Sequence, residues 1–327
     1  MLKVFVFLLV LSAAVGPAFA FEIGDLHSGL SNLSAEMAKA LPFNSGIGLN
    51  WSDAYVGKLF PSVPPHFGVG GSFGFTTMDL KTIENLSKVL GYDMPFGAPR
   101  LYFPAYTAEA RLGGFFLPFD IGLKFGMLPQ TKLWGTSTKM NYLLLGAGLR
   151  YAILDGKSRT LLPNISIGLG FNYLKGGLSS SVNQAVNIGV NGASDQITLE
   201  KPDVALSWSS KSLELTMQIS KNILLITPYL GFGASYSWSE VGYDADATVR
   251  YNGRAITPGD IIAIGNELGG ISLGDGGLSS SKKDSAFGLR GFGGISLDLM
   301  VLHLDMTGLF NFFDKNYGAQ IGFRVQL

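Results

Sequence analysis

The chain has 327 residues, no cysteine, 24 Lys plus Arg against 24 Asp plus Glu, and 47% hydrophobic residues. Without cysteine there is neither a disulfide framework nor a site for N-terminal lipid attachment, and the balanced charge offers no basic surface to nucleic acid. A positive mean hydropathy would fit a helical membrane protein, yet beyond the N-terminal stretch no segment offers about 18 unbroken apolar residues.

In chain order, Lys3, the apolar run 4–11 and Ala18-Phe19-Ala20 predict a secretory signal over 1–20, with Phe21 first in the mature chain. Leu26, Leu30, Leu33, Met37 and Leu41 then recur at helical spacing. Such a helix can lie on a membrane leaflet, rest on a barrel rim or enter a lumen as a plug. Residues 44–57 also read as strand-like, and Pro61, Pro64 and Pro65 close an N-terminal segment over 21–65.

From 66 onward the pattern is alternation. Strands are predicted at 66–78, 104–113, 118–128, 139–154, 162–175, 206–220, 223–240, 285–298, 301–313 and 317–327, each with apolar residues on one face. Short connections such as 155–158 and 221–222 alternate with long ones at 79–103, 176–205 and 241–284, as periplasmic turns and extracellular loops do. Since hydrocarbon leaves no backbone group unpaired, dispersed alternation predicts an all-β, antiparallel, up-and-down transmembrane barrel over 66–327. Ten strands are expected; counting 44–57 and a partner makes twelve the alternative.

The second face of each strand predicts the lumen. It carries Glu109, Arg111, Asp120, Lys124, Arg150, Asp298, His303, Asp305 and Arg324, together with Glu214 and Arg290, in near balance of sign. A polar lumen without strong ion selectivity is the expectation. Inward glycines such as Gly122, Gly146, Gly148, Gly168 and Gly170 imply a second backbone close to the wall, space kept open, or strong coiling of a small barrel.

Two further constellations carry chemistry. His303 and Asp305 share a strand face, and Asp298 can join them across a turn; a carboxylate beside an imidazole is half of a hydrolase triad, although charge networks form the same pairs. In the connection after the first strand, Leu80, Ile83, Leu86 and Leu90 form an apolar helical stripe followed by Phe96, Tyr102 and Phe103. This predicts either an apolar lid for a hydrophobic ligand or a helix packed on the loop wall. Three dispersed histidines, His27, His66 and His303, predict no metal site, and no cofactor is expected.

The signal and the ten alternating strands through 317–327 resemble the outer-membrane β-barrel proteins of diderm bacteria, with Leu327 standing where most end on an aromatic residue. That resemblance implies contact with outer-membrane lipid and recognition of 317–327 by the barrel-assembly machinery. An amphipathic N-terminal segment ahead of a glycine-rich barrel also looks like the long-chain fatty acid transporter family, although no Asn-Pro-Ala signature occurs in 21–65. The implied function is passive, porin-like diffusion of small hydrophobic or amphiphilic molecules past a plug, without catalysis. The alternatives are a non-conducting barrel that binds external partners through 176–205 and 241–284, and, third, an outer-membrane hydrolase using His303.

Overall fold

A computed structural model describes residues 21–56, 66–79, 100–113, 117–132, 138–154, 162–181, 185–190, 195–265, 272–274 and 276–326. A short strand β1 (Phe21–Glu22) leads into helix α1 (Ile23–Ser45). Ten long strands follow: β2 (His66–Asp79), β3 (Arg100–Gly113), β4 (Phe119–Lys132), β5 (Lys139–Leu154), β6 (Asn164–Ser181), β8 (Asp195–Ser220), β9 (Ile226–Tyr251), β12 (Gly277–Leu299), β13 (Leu302–Asn311) and β14 (Tyr317–Gln326). Between them lie β7 (Val186–Val190), β10 (Arg254–Ala255), helix α2 (Pro258–Ala263) and β11 (Ser272–Gly274).

Each long strand pairs antiparallel with its neighbours, and β14 returns to β2 from Gly318 opposite Thr76 to Gln326 opposite Gly68. The ring therefore closes at ten strands and the twelve-strand alternative falls. Residues 46–56 join no ladder, because their polar main-chain groups pair with wall side chains instead of a neighbouring strand. Large apolar residues such as Phe73, Leu123, Leu169, Leu215 and Ile321 stand more than half exposed on the outer face. A closed ladder with an apolar exterior is a membrane-spanning barrel.

The strand ends alternate between tight turns and longer connections. At the turn end, Leu224 and Met300 adopt left-handed backbone (φ 55° and 57°) between paired strands. At the opposite, loop end, β6, β8, β9 and β12 reach 18, 26, 26 and 23 residues, where about 9–11 span a bilayer. The segments 176–205 and 241–284, expected as loops, are thus largely strand. Apolar alternation stops at the edge of the hydrocarbon while the hydrogen-bond ladder continues through Ser, Asp, Thr and Lys.

One seam is incomplete. β3 pairs with β2 along its whole length but with β4 only from Ala108 opposite Phe125 to Gly113 opposite Asp120. Continuing that register toward the loop end sets Pro104 opposite Pro129, two residues without an N–H to donate. Beyond the last ladder pair, Tyr106 Oη donates to the Met127 carbonyl at 2.5 Å.

α1 enters the barrel from the loop end. β1 runs parallel to β7, with Phe21 opposite Ile188, out where the strands overshoot. The helix spans roughly 35 Å at ~1.5 Å per residue. Leu33, Met37, Ala38, Leu41 and Phe43 are buried against the inward-facing Met78, Phe103, Leu144, Leu174, Leu206 and Trp208. The loop-end half of the lumen is therefore apolar, a correction to the polar lumen predicted above. In runs such as Tyr142-Leu143-Leu144-Leu145 both faces are apolar, so the alternation marks the lipid face alone.

Ser45 Oγ lies 3.4 Å from Ser212 Oγ on β8. In this cysteine-free chain, Ser45→Cys with Ser212→Cys should form a disulfide on mild oxidation, read as a reducible mobility shift of the folded barrel on unheated gels. No crosslink would mean that the end of α1 does not sit against β8.

Candidate functional site

Beyond Ser45 the chain continues through the turn-end half of the lumen to Val56, with left-handed backbone at Gly48 (φ 86°) and Leu49 (φ 60°). No ladder serves this stretch, so its peptide groups need other partners. Glu109 accepts from the Leu49 N–H at 2.8 Å and from Trp51 Nε1 at 2.7 Å. Gln320 accepts from the Gly48 N–H and from Asn50 Nδ2, both at 3.0 Å. Gln218 Nε2 donates to the carbonyls of Trp51 and Ser52 at 3.0 and 2.9 Å.

The wall cations do the same for the remaining carbonyls. Lys124 Nζ donates to Ser45 O and Ile47 O at 2.6 and 2.7 Å, at the C-terminal end of α1, where the helix dipole favours positive charge. Arg111 Nη2 donates to Leu49 O at 2.8 Å and Arg150 Nη1 to Trp51 O at 3.1 Å. Both guanidiniums meet on Asp120, at 2.5 and 2.7 Å, and Asp120 also accepts from the Val56 N–H at 2.7 Å.

A second centre forms around Arg324. It pairs with Asp305 at 2.8 Å and Asp53 at 2.5 Å and reaches Ser52 Oγ at 3.1 Å. The Trp51 ring lies between two guanidiniums, Arg324 at 4.9 Å and Arg111 at 5.4 Å, within the range of cation–π attraction. Arg290 pairs with Glu214 on β8 and contacts Asn50 Oδ1 at 3.3 Å.

Of the sequence-predicted lumenal charges, Glu109, Arg111, Asp120, Lys124, Arg150, Arg290 and Arg324 are thus brought together on one partner, the segment 44–56, with Glu214 and Asp305 held behind Arg290 and Arg324. Asn44, Asn50, Trp51, Asp53 and Gln320 were not singled out as site residues; the available signal was a polar run, Asn50-Trp51-Ser52-Asp53, ahead of the first strand. His303 parts from Asp305. Its Nδ1 lies 2.7 Å from Asp298, which also accepts from Ser296 at 2.8 Å and Thr227 at 2.5 Å, whereas Asp305 belongs to Arg324.

Leu33, Met37 and Leu41 face the apolar wall; the side chains of Leu26 and Leu30 lie outside the described residues, although their backbone is in α1. Leu80, Ile83, Leu86, Leu90 and Phe96 also lie outside them. Tyr102 and Phe103, expected in that loop, belong to β3. Phe103 points into the lumen, 6.5 Å from the Trp208 ring, and its carbonyl accepts from Asn44 at 3.1 Å. Tyr102 meets Phe75 at 5.4 Å and the Tyr317 hydroxyl at 3.3 Å.

The wall glycines have two uses. A methyl at Gly146 would stand 2.5 Å from Lys124 Cε, and one at Gly68 would stand 2.8 Å from the Trp51 ring, so long side chains lie flat across these positions. At Gly148 and Gly170, by contrast, a methyl would meet nothing closer than 3.7 and 3.8 Å. These two border a cavity of about 70 Å³ between residues 46–50 and the wall, lined also by Arg111, Lys124, Arg150, Glu214 and Arg290.

Asp120→Ala would leave two buried guanidiniums without their shared carboxylate, at a cost of about 3–5 kcal/mol. Denaturant unfolding of the refolded barrel should show a lower midpoint, and the fluorescence of Trp51, read with the other three tryptophans replaced by Phe, should report a more solvated indole. A loss under about 1 kcal/mol would mean that Asp120 does not anchor the segment.

Three solved structures are among those similar to this chain. The outer membrane protease OmpT from Escherichia coli is 8% identical over 81% of this chain and 99% of its own, with a TM-score of 0.39. The translocator domain of autotransporter NalP from Neisseria meningitidis is 8% identical over 93% and 97%, with a TM-score of 0.40. The toluene transporter TbuX of Ralstonia pickettii is 7% identical over 80% and 89%, with a TM-score of 0.25. No curated protein matches the sequence. Residues 17–324 match DUF6588, a family of unknown function, and the chain belongs to that family.

Proposed function

We propose that the protein is an outer-membrane transport barrel closed by its own N-terminal segment, through which small hydrophobic or amphiphilic molecules enter by diffusion. The short turns face the periplasm and the long strands the exterior. The observation that carries this reading is the apolar loop-end half of the lumen. A concave wall of Met78, Phe103, Leu144, Leu174, Leu206 and Trp208 is unusual for a barrel interior, and α1 covers it with apolar side chains that a ligand of similar character can replace.

Below that half, the lumen is crossed by ion pairs and hydrogen bonds, a poor medium for an apolar solute. The favourable exit is sideways. The unpaired stretch of the β3–β4 seam, from Tyr106 and Met127 toward the loop end, lies beside the apolar half, and on the outer face it adjoins a groove over the laddered stretch that is lined by Ala108, Ala110, Leu123, Phe125, Leu145 and Phe171, with Glu109 and Lys124 at its floor. A molecule leaving through the unpaired stretch passes from apolar wall to lipid on the loop-end side of Glu109 and Lys124.

A second reading draws on β6, β8, β9 and β12, which carry a polar sheet well past the hydrocarbon and provide a surface for an external partner. In both readings His303 is structural: its ring is 3% exposed and oriented by Asp298.

The refolded mature chain should be electrically silent in planar bilayers, and deletion of 21–56 should produce stepwise conductance. Silence of both would sink the plugged-lumen reading. An oxidised pair Tyr106→Cys and Met127→Cys should block uptake of an apolar fluorescent probe into proteoliposomes and leave conductance of the deleted form unchanged. Uptake that survives the crosslink would remove the lateral exit. His303→Ala should lower stability without altering lipid composition or proteolysis in cells that carry it; a hydrolytic phenotype would revive the enzyme.

A further inference from the structure

The charges around the 70 Å³ cavity do not cancel, and neither do its hydrogen-bond donors. Four cations line it, Arg111, Lys124, Arg150 and Arg290, with a single lining carboxylate, Glu214. Asp120 stands behind Arg111 and Arg150, and Glu109 faces Lys124 across the β3–β4 ladder. Counting all of these gives four positive against three negative groups.

Two guanidiniums share the one carboxylate of Asp120, and among the described residues Lys124 has no carboxylate in contact. Its ammonium donates to two main-chain carbonyls, and among the described residues no carboxylate comes within 4.0 Å of it. An ammonium has three donors, so one is left over. Arg111 and Arg150 are 5% and 6% exposed, and the Nε of each is buried without a partner. A buried cation in contact with no carboxylate is costly, and so are buried donors without acceptors.

We infer that this cavity binds one small monovalent inorganic anion, of halide or nitrate size, between Lys124, Arg111 and Arg150. An anion there supplies both the missing charge and acceptors for the free donors, whereas water supplies only the acceptors. The space suits it: about 70 Å³, at roughly 10–15 Å³ per water position, holds one ion with a few waters. Gly148 and Gly170 keep that space open, since side chains there would project into it. The site also adjoins the peptide groups Ser45 and Ile47 that Lys124 holds, so anion binding tightens the junction between α1 and the segment below it. The inference stands independently of any transported molecule.

The probe is bromide. Thermal unfolding of the full mature chain in detergent should rise saturably with sodium bromide or chloride and not with sodium gluconate at equal ionic strength. Crystals grown in bromide should show one anomalous peak inside the cavity. Lys124→Met should weaken the apparent bromide affinity by about tenfold or more, as loss of a charged hydrogen bond implies. Because that variant also loosens α1, the pair Gly148→Ala and Gly170→Ala is decisive. Their methyls make only ordinary contacts, so the barrel should fold normally and lose the bromide effect. A bromide effect equal to that of gluconate, an anomalous peak confined to the surface, or an undiminished effect in the glycine pair would each overturn the site.

Discussion

A barrel wall consumes its own main-chain hydrogen bonds, so a polypeptide passing through the lumen in irregular conformation finds no backbone to pair with. Residues 46–56 face this constraint, and the wall answers with side chains: Glu109, Gln218, Gln320, Lys124, Arg111, Arg150 and Asp120 each take one or more of their peptide groups. The inward charges therefore serve a particular chain path. Each would be expensive in a closed interior on its own, and pairing through the segment makes the set tolerable.

The same constraint divides the lumen in two. Where the segment is helical its peptide groups are satisfied internally, and the wall beside α1 is free to be apolar. Where the helix ends at Ser45 the wall becomes polar within one turn, starting with Lys124 at the terminal carbonyls. The wall glycines follow the demand for space: Gly146 and Gly68 give way to Lys124 and Trp51, and Gly148 and Gly170 border the cavity.

Much of the barrel was legible because one solvent wrote it. Lipid demands an apolar residue at every second position, and the ten periodic segments correspond to the ten strands of the ring. Above the hydrocarbon that demand ends, and the polar halves of β8 and β9 read as loop although they are laddered. The inward apolar residues Leu144 and Leu206 were hidden for a related reason, since an apolar residue beside an apolar neighbour leaves no period to detect. The charged residues of the lumen could be picked out as inward-facing, but their partner could not. Pairings such as Arg324 with Asp53 or Glu109 with Trp51 join positions far apart in sequence, through a stretch whose own pattern suggested a strand.

The path of the N-terminal segment also bears on how the ring is held closed. β1 lies at the loop end and Val56 at the turn end of a closed ring, so the segment is threaded through it. β14, the strand that completes the ring against β2, carries Gln320 and Arg324, which bind Gly48, Asn50, Ser52 and Asp53. The grip that fixes the thread is therefore also a grip on the strand that closes the ring, so threading and closure are held by the same side chains.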